Sequence, residues 1–430
     1  MNYSFGNMLS RGGALNPDGL ALDLQFAADK TLTARKGPTP TFTRASTATF
    51  VGSNGLIQTA AINAPRFDHD PVTLASRGLL IEDSRTNFLL QSENFASPVS
   101  WGKTNSSISG TLHTAPTGAL TANELVEDSL LASHACTQGG LVATIGATYT
   151  FSLFVKRKPS SNQFLLIGAT GLVSASFISI NLTNGVTSTG IGSPGTPTNV
   201  SSTAYQDGWY RVQFSVAATS AAVAVLDIRL SRDGTWANRA YLGDGVQSSL
   251  IWGAQLELGS FPTSYIPTTT ASVVRSADVC SITGSDFSGF YNQSEGTLLT
   301  NAMIANLVGE NRGIAQIDNG DNLQHIRIVY GNTSGGFHNS VRANDIATQL
   351  GNNAGAANVS QKLIISYQGT SYAGTVNGAV VTTATRTQPT GLSILRIGTL
   401  AGPFYIGGHI AAIRYYKKRL PNTKLQSLTT

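Results

Sequence analysis

Charge is what this chain has least of. Only 12% of its 430 residues are Asp, Glu, Lys or Arg, about half the roughly 25% of an average soluble domain. That excludes a disordered polyelectrolyte and a long coiled coil, which needs charged flanks. Cysteine is nearly absent. Cys136 and Cys280 stand far apart, with no CxxC and no Cys/His metal spacing, so neither a disulfide framework nor a zinc site is written here. The expectation is two small buried or half-buried thiols. No run of about 18 apolar residues occurs, which leaves no membrane-spanning helix. Met1 to Lys30 carries no positive region followed by an apolar core, so the chain is expected to be made in a cytoplasm without a signal peptide. The basic runs Lys156-Arg157-Lys158 and Lys417-Lys418-Arg419 stand alone within a net charge of +5. They read as solvated element ends, and no nucleic-acid partner is expected.

Helical periodicity is also missing. Leu20, Leu22, Leu24 and Phe26 alternate as in a strand, and only Asn422 to Leu428 reads as a short helix, opened by Pro421. What the chain does have is 45 glycines and many short period-two stretches separated by turn residues. Thr148 to Val155, Phe177 to Leu182, Trp209 to Val216 and Ser249 to Leu258 are the clearest in the middle. Lys362 to Tyr367, the Asn377-Gly378 turn and Gly408 to Tyr416 stand out near the end. At roughly 150 residues per domain the length suggests about three units. The predicted class is all-β: an extended N-terminal module over 1–90, then two antiparallel β-sandwiches over 91–270 and 271–430. Phe261 to Thr270, with two prolines and a threonine run, is expected to be a linker between them.

Thr41-Phe-Thr-Arg-Ala-Ser-Thr-Ala-Thr-Phe50, Gly55 to Asp68 and Arg77-Gly-Leu-Leu-Ile-Glu-Asp-Ser-Arg-Thr-Asn87 resemble a module of bacteriophage virion proteins, found in head spikes, head fibres and tail fibres. Residues 91–270 resemble a carbohydrate-binding-module-like jelly roll, through Ser92-Glu-Asn-Phe95, Trp101, Asp207-Gly-Trp-Tyr-Arg-Val212, Ile251 to Glu257 and Gly259 to Pro267. The final segment is similar to concanavalin-A-like, laminin-G-like sandwiches, through Val376-Asn-Gly378, Leu395-Arg-Ile-Gly398 and Gly408 to Tyr416. Together these resemblances imply a virion-surface fibre or spike that adheres to host-surface glycan without catalysis. They also imply a homotrimer attached to phage capsid or tail proteins.

In that picture Arg44, Arg66, Phe67, Arg77 and Arg85 belong to the attachment module, although such arginines more often tie loops together than bind a ligand. Trp101, Trp236 and Tyr405 are the candidate sugar platforms, because an exposed ring stacks on the apolar face of a sugar. Trp209 and Trp252 sit in alternating strands and read as core. Asp318 and Asp321 could supply oxygen ligands to Ca²⁺, although the twelve-residue calcium-loop pattern is missing. No other cofactor is implied. The six histidines lack zincin spacing, and His409 reads as structural. Glu93, Glu124, Glu127 and Asp128 are the carboxylates from which a glycoside-cleaving pair could be drawn. No nucleophile elbow or phosphate loop accompanies them. The rival readings are a purely structural capsid, tail or collar component, a polysaccharide depolymerase, and a secreted adhesin.

Overall fold

The computed structural model describes residues 18–430 apart from 160, 173, 308–310 and 345. The part of the leader reading that rests on residues 1–17 lies outside them. The named strands pair antiparallel throughout and form two large sandwiches.

The jelly roll occupies the middle of the chain. Its seven-stranded sheet runs His113–Thr114, Leu120–Glu127, Ser248–Leu258, Thr148–Arg157, Trp209–Ala217 and Thr198–Ala204, with Ser106–Ile108 added to Leu120–Glu127. The facing six-stranded sheet is centred on Phe164–Thr170 and Val223–Ser231. Thr148–Arg157 shows why the segment is a central strand. Phe151, Leu153 and Val155 point into the main core, while Phe154 points the other way, into a smaller cluster with Trp209 and Trp252. Both tryptophans are buried, as the alternation predicts. Burying apolar side chains on both faces is what stabilises such a strand, at roughly 1.5–3 kcal/mol per large side chain.

The second sandwich encloses a core rich in Ile, Leu, Phe and Tyr. Its seven-stranded sheet runs Thr41–Thr43, Val279–Thr283, Ile394–Ile397, Arg312–Asp318, Gln324–Gly331, Gly336–Ala343 and Ile346–Asn353. The opposing eight-stranded sheet is organised around Glu295–Ile304 and Gly408–Tyr416. Asn377 and Gly378 turn at φ 49° and 70°, the left-handed conformation that this dipeptide favours. The closing helix is Asn422–Thr429, capped by Pro421.

Two expectations about organisation need correcting. Residues 18–90 do not form a unit of their own. Leu20–Leu24 and Ser76–Ile81 both pair with Gly408–Tyr416, and Thr41–Thr43 pairs with Val279–Thr283. The N-terminal segment therefore completes the C-terminal sheets, covering edges that would otherwise stay unpaired. Phe261 to Thr270 is no loose linker either. Its prolines keep it out of the sheets, yet Phe261, Tyr265 and Ile266 are buried and Thr268 exchanges hydrogen bonds with Ser92. Both cysteines are free and buried; burial pushes the Cys136 thiol up to about 12 and raises that of Cys280 as well.

Candidate functional site

The arginines of the N-terminal segment are spent inside the molecule. Asp278 accepts from Arg44 Nη1 at 3.1 Å and from Arg66 Nη2 at 2.6 Å, with all three side chains fully buried. Arg66 Nη1 also reaches Glu82 at 2.8 Å and Ser264 Oγ at 2.8 Å. Burial alone would raise the Glu82 carboxyl. Arg275, Arg66 and the Ser264 hydrogen bonds outweigh it and hold the group well below the usual carboxylate range. Arg77 pairs with Asp70 at 2.8 Å. Arg85 pairs with Asp83 at 3.0 Å and lies over the Phe261 ring. Phe67 is half-buried against the second core. These residues join the N-terminal segment to both sandwiches and leave no cationic attachment surface of Arg44 and Arg66.

Beside this network lies a cleft of about 190 Å³ between the two sandwiches. One wall comes from two neighbouring jelly-roll strands. Thr203 lies opposite Arg211 and Ser201 opposite Gln213, so period two places all four on one face. Arg211 donates to Ser152 Oγ at 3.0 Å and stacks over Phe154, its guanidinium carbon 5.4 Å from the ring centre. Tyr205 meets Phe154 edge-on at 5.1 Å, and burial raises its hydroxyl pKa. The other wall comes from Phe67–His69 and Gly408–Tyr416. His409 Nε2 donates to Asp68 Oδ2 at 2.7 Å, and Asp68 Oδ1 accepts from the Val51 amide at 2.6 Å. Arg77, Asn306 and Asn358 complete the rim. The cleft thus carries hydroxyls, amides and aromatic edges, with its acids and bases largely matched. Pockets that enclose a drug-sized ligand measure roughly 300–1,000 Å³; this slot suits one small polar ring.

None of the predicted sugar platforms lies here. Trp101 is a core residue at 1% exposure, 4.3 Å from Phe95, with its indole N–H on the Gln91 carbonyl at 3.1 Å. The turn-rich sequence around it hid that anchor. Trp236 is half-buried against Phe177 at 4.6 Å, with Arg239 and Arg229 over its ring at 4.4 and 5.3 Å. Tyr405 is half-buried in the second sandwich, and burial raises its pKa.

The calcium expectation fails on Asp318. Its carboxylate is fully buried, bridged by Arg396 at 2.8 and 3.2 Å, and also accepts from Gly320 N and Gln316 Nε2. Asp321 is exposed and accepts from Leu323 N at 2.7 Å. Among the described residues no group of three or more metal-ligating side chains occurs.

The other carboxylates are engaged too. Glu124 is held by Lys158, Ser248 and His113, which together overcome its burial and lower its pKa. Glu127 accepts from Tyr241 Oη and the Asp244 amide. Asp128 lies 3.2 Å from His134. Burial raises the Glu93 carboxyl despite the hydrogen bond from Tyr265. Sequence reasoning missed Arg211, Gln213, Tyr205 and Asp68. The available signal was the polar half of the alternating Trp209 to Phe214 stretch.

No protein-family model and no curated protein matches the chain. Among solved structures, the Ruminococcus gnavus IT-sialidase CBM40 bound to alpha2,3 sialyllactose is 17% identical, covering 32% of this chain and 84% of that one, with a TM-score of 0.29. Trypanosoma rangeli sialidase in complex with the inhibitor DANA is 9% identical, covering 76% of this chain and 53% of that one, at a TM-score of 0.27. Mouse laminin alpha1 chain, domains LG4-5, is 10% identical, covering 68% and 90%, at a TM-score of 0.24. Likenesses this distant carry no argument about what this chain binds.

Proposed function

We propose that the chain is a non-catalytic glycan-binding β-sandwich protein, carried on the surface of a bacteriophage particle as a head or tail fibre or spike. The observation behind the binding reading is the junction cleft, where Ser201, Thr203, Arg211 and Gln213 face His409 and Asp68 across a slot of single-ring size. Hydroxyls, amides and ring edges are the groups that recognise a sugar. Adhesion rather than cleavage is supported by the cleft's carboxylates: Asp68 is hydrogen-bonded by His409 and the Val51 amide, and Glu82 is paired with Arg66. The virion setting rests on the resemblance over residues 40–95. A homotrimer would multiply weak contacts by symmetry.

A purely structural capsid, tail or collar role is the second reading. It is favoured by the burial of Arg44 and Arg66, which hold the molecule together.

The test is a glycan array probed with the full chain and with Thr203→Trp. Thr203 is exposed on a strand, so the indole fills the slot without disturbing a core. Retention of a glycan by the wild type and its loss of roughly tenfold or more in the variant, at unchanged thermal midpoint, is the expected result. No retained glycan, or equal binding by the variant, leaves the structural reading. Antibody labelling of intact particles viewed by electron microscopy tests the setting; unlabelled particles would remove it.

A further inference from the structure

One wall of the junction cleft keeps its polar groups open. Ser201 lies opposite Gln213 and Thr203 opposite Arg211 on neighbouring strands. On the next strand Ser152 lies opposite Gln213 and Phe154 opposite Arg211. Period two sets all six on one face. Ser201 and Thr203 are exposed, Arg211 and Gln213 are half-buried, and these four line the cleft. Among the described residues no hydrogen bond occupies the Ser201 hydroxyl, the Thr203 hydroxyl or the Gln213 side-chain amide, and none of these groups is sealed from solvent.

The charge on this wall has one sign. Arg211 donates to Ser152 Oγ at 3.0 Å, lies over the Phe154 ring and borders the Tyr205 hydroxyl. All three neighbours are neutral. Among the described residues no carboxylate forms an ion pair with Arg211. Glu257 feels its charge, but that side chain is fully buried and held by Thr263 and Gln255. The other charges lining the cleft have partners of their own. Asp68 has His409 and the Val51 amide, Glu82 has Arg66, and Arg77 has Asp70. A guanidinium without a counter-charge at the wall of a cleft attracts an anion. A bare inorganic anion would leave the open hydroxyls and amide unused. A neutral sugar would leave the cation unpaired. Asp68 on the facing wall repels negative charge, so an anionic group belongs beside Arg211.

We infer that the cleft selects an acidic sugar ring, whose anionic group pairs with Arg211 and whose hydroxyls bond to Ser201, Thr203 and Gln213. This rests on the glycan reading of the cleft and narrows it to anionic saccharides. A uronate carboxylate and a sulfate ester present the same chemistry to the guanidinium, and the experiment separates them.

The experiment is calorimetric titration of the full chain with matched pairs. Oligogalacturonate and a hyaluronan tetrasaccharide are set against their methyl esters, and a sulfated galactan oligosaccharide against its desulfated form. The wild type should bind at least one acidic member roughly tenfold or more tightly than its neutral partner, the usual scale for a charge-assisted pair. That preference should shrink as salt rises. Binding confined to the uronates or to the sulfated galactan identifies the anionic group. Arg211→Gln should bring the acidic member down to the level of its neutral partner. Should Arg211→Gln fold poorly, Gln213→Glu sets a like charge beside the arginine and should narrow the preference several-fold. Thr203→Trp should remove the binding altogether. Absence of binding to every acidic member, a neutral partner bound as tightly as its acid, an unchanged preference in folded Arg211→Gln or Gln213→Glu, or acid binding that survives Thr203→Trp would each overturn the inference. A neutral partner bound as tightly as its acid leaves the glycan reading standing. No saccharide bound here, together with an empty glycan array, ends both.

Discussion

Arg66 and Arg327 are both arginines drawn out of water, and they end in opposite states. Arg66 has a carboxylate on each side, Asp278 at 2.6 Å and Glu82 at 2.8 Å, and is sealed where the N-terminal segment meets both sandwiches. Arg327 is half-buried among buried polar neighbours, with Arg342 adding repulsion and no ion-pair partner among the described residues. A neutralised buried cation holds parts of a fold in place. An unneutralised one bears its desolvation cost and ties nothing together.

The strongest way to break this comparison is to remove the shared counter-ion. Asp278→Asn should destabilise the protein by about 3–5 kcal/mol, because it leaves Arg44 unpaired and strips one of the two carboxylates from Arg66 in a dry site. Chemical denaturation measures this, and a loss under about 1 kcal/mol would mean that water already reaches the network.

The next effect is in pH. Glu82 has a depressed folded pKa, so its contribution is present above the unfolded carboxylate range and is lost only as pH falls below it. His325 is a base whose folded pKa of about 3 lies below the ordinary 6.5. The unfolded chain therefore binds the extra proton first, and stability falls as pH drops from about 6.5 toward 3. His325→Gln should flatten the slope of unfolding free energy against pH by about 1.4 kcal/mol per unit between pH 4 and 6. An unchanged slope would place the ring in water. The smallest effect should be that of Arg327→Gln on stability, within about 1 kcal/mol of wild type, since no partner is orphaned. A much larger loss would show that the guanidinium props the sheet and would erase the contrast with Arg66.

Much of the second sandwich was readable in advance. Gly408 to Tyr416 alternates and forms a strand, Asn377-Gly378 turns as that dipeptide does, and the helix starts at Asn422. Period two told which side of Trp209–Ala217 is apolar, and hence that Arg211 and Gln213 share the other side. It could not tell that Asp68 and His409, 341 positions apart, close the opposite wall. Trp101 misled because an aromatic among turn residues looks exposed until Phe95 is seen against it. Asp318 looked like a ligand because its partner Arg396 is 78 positions away.

By itself the sequence determined the all-β class, the strand faces, the tight turns and the two inert thiols. These depend on steric preference and on the alternation of apolar with polar side chains, both of which are local. Only the tertiary structure decided that strands within residues 18–90 complete the C-terminal sheets, that the proline-rich stretch packs at a junction, and which arginines find acids. Those outcomes depend on Coulombic and packing partners brought together over hundreds of residues, and no local pattern encodes a partner's identity.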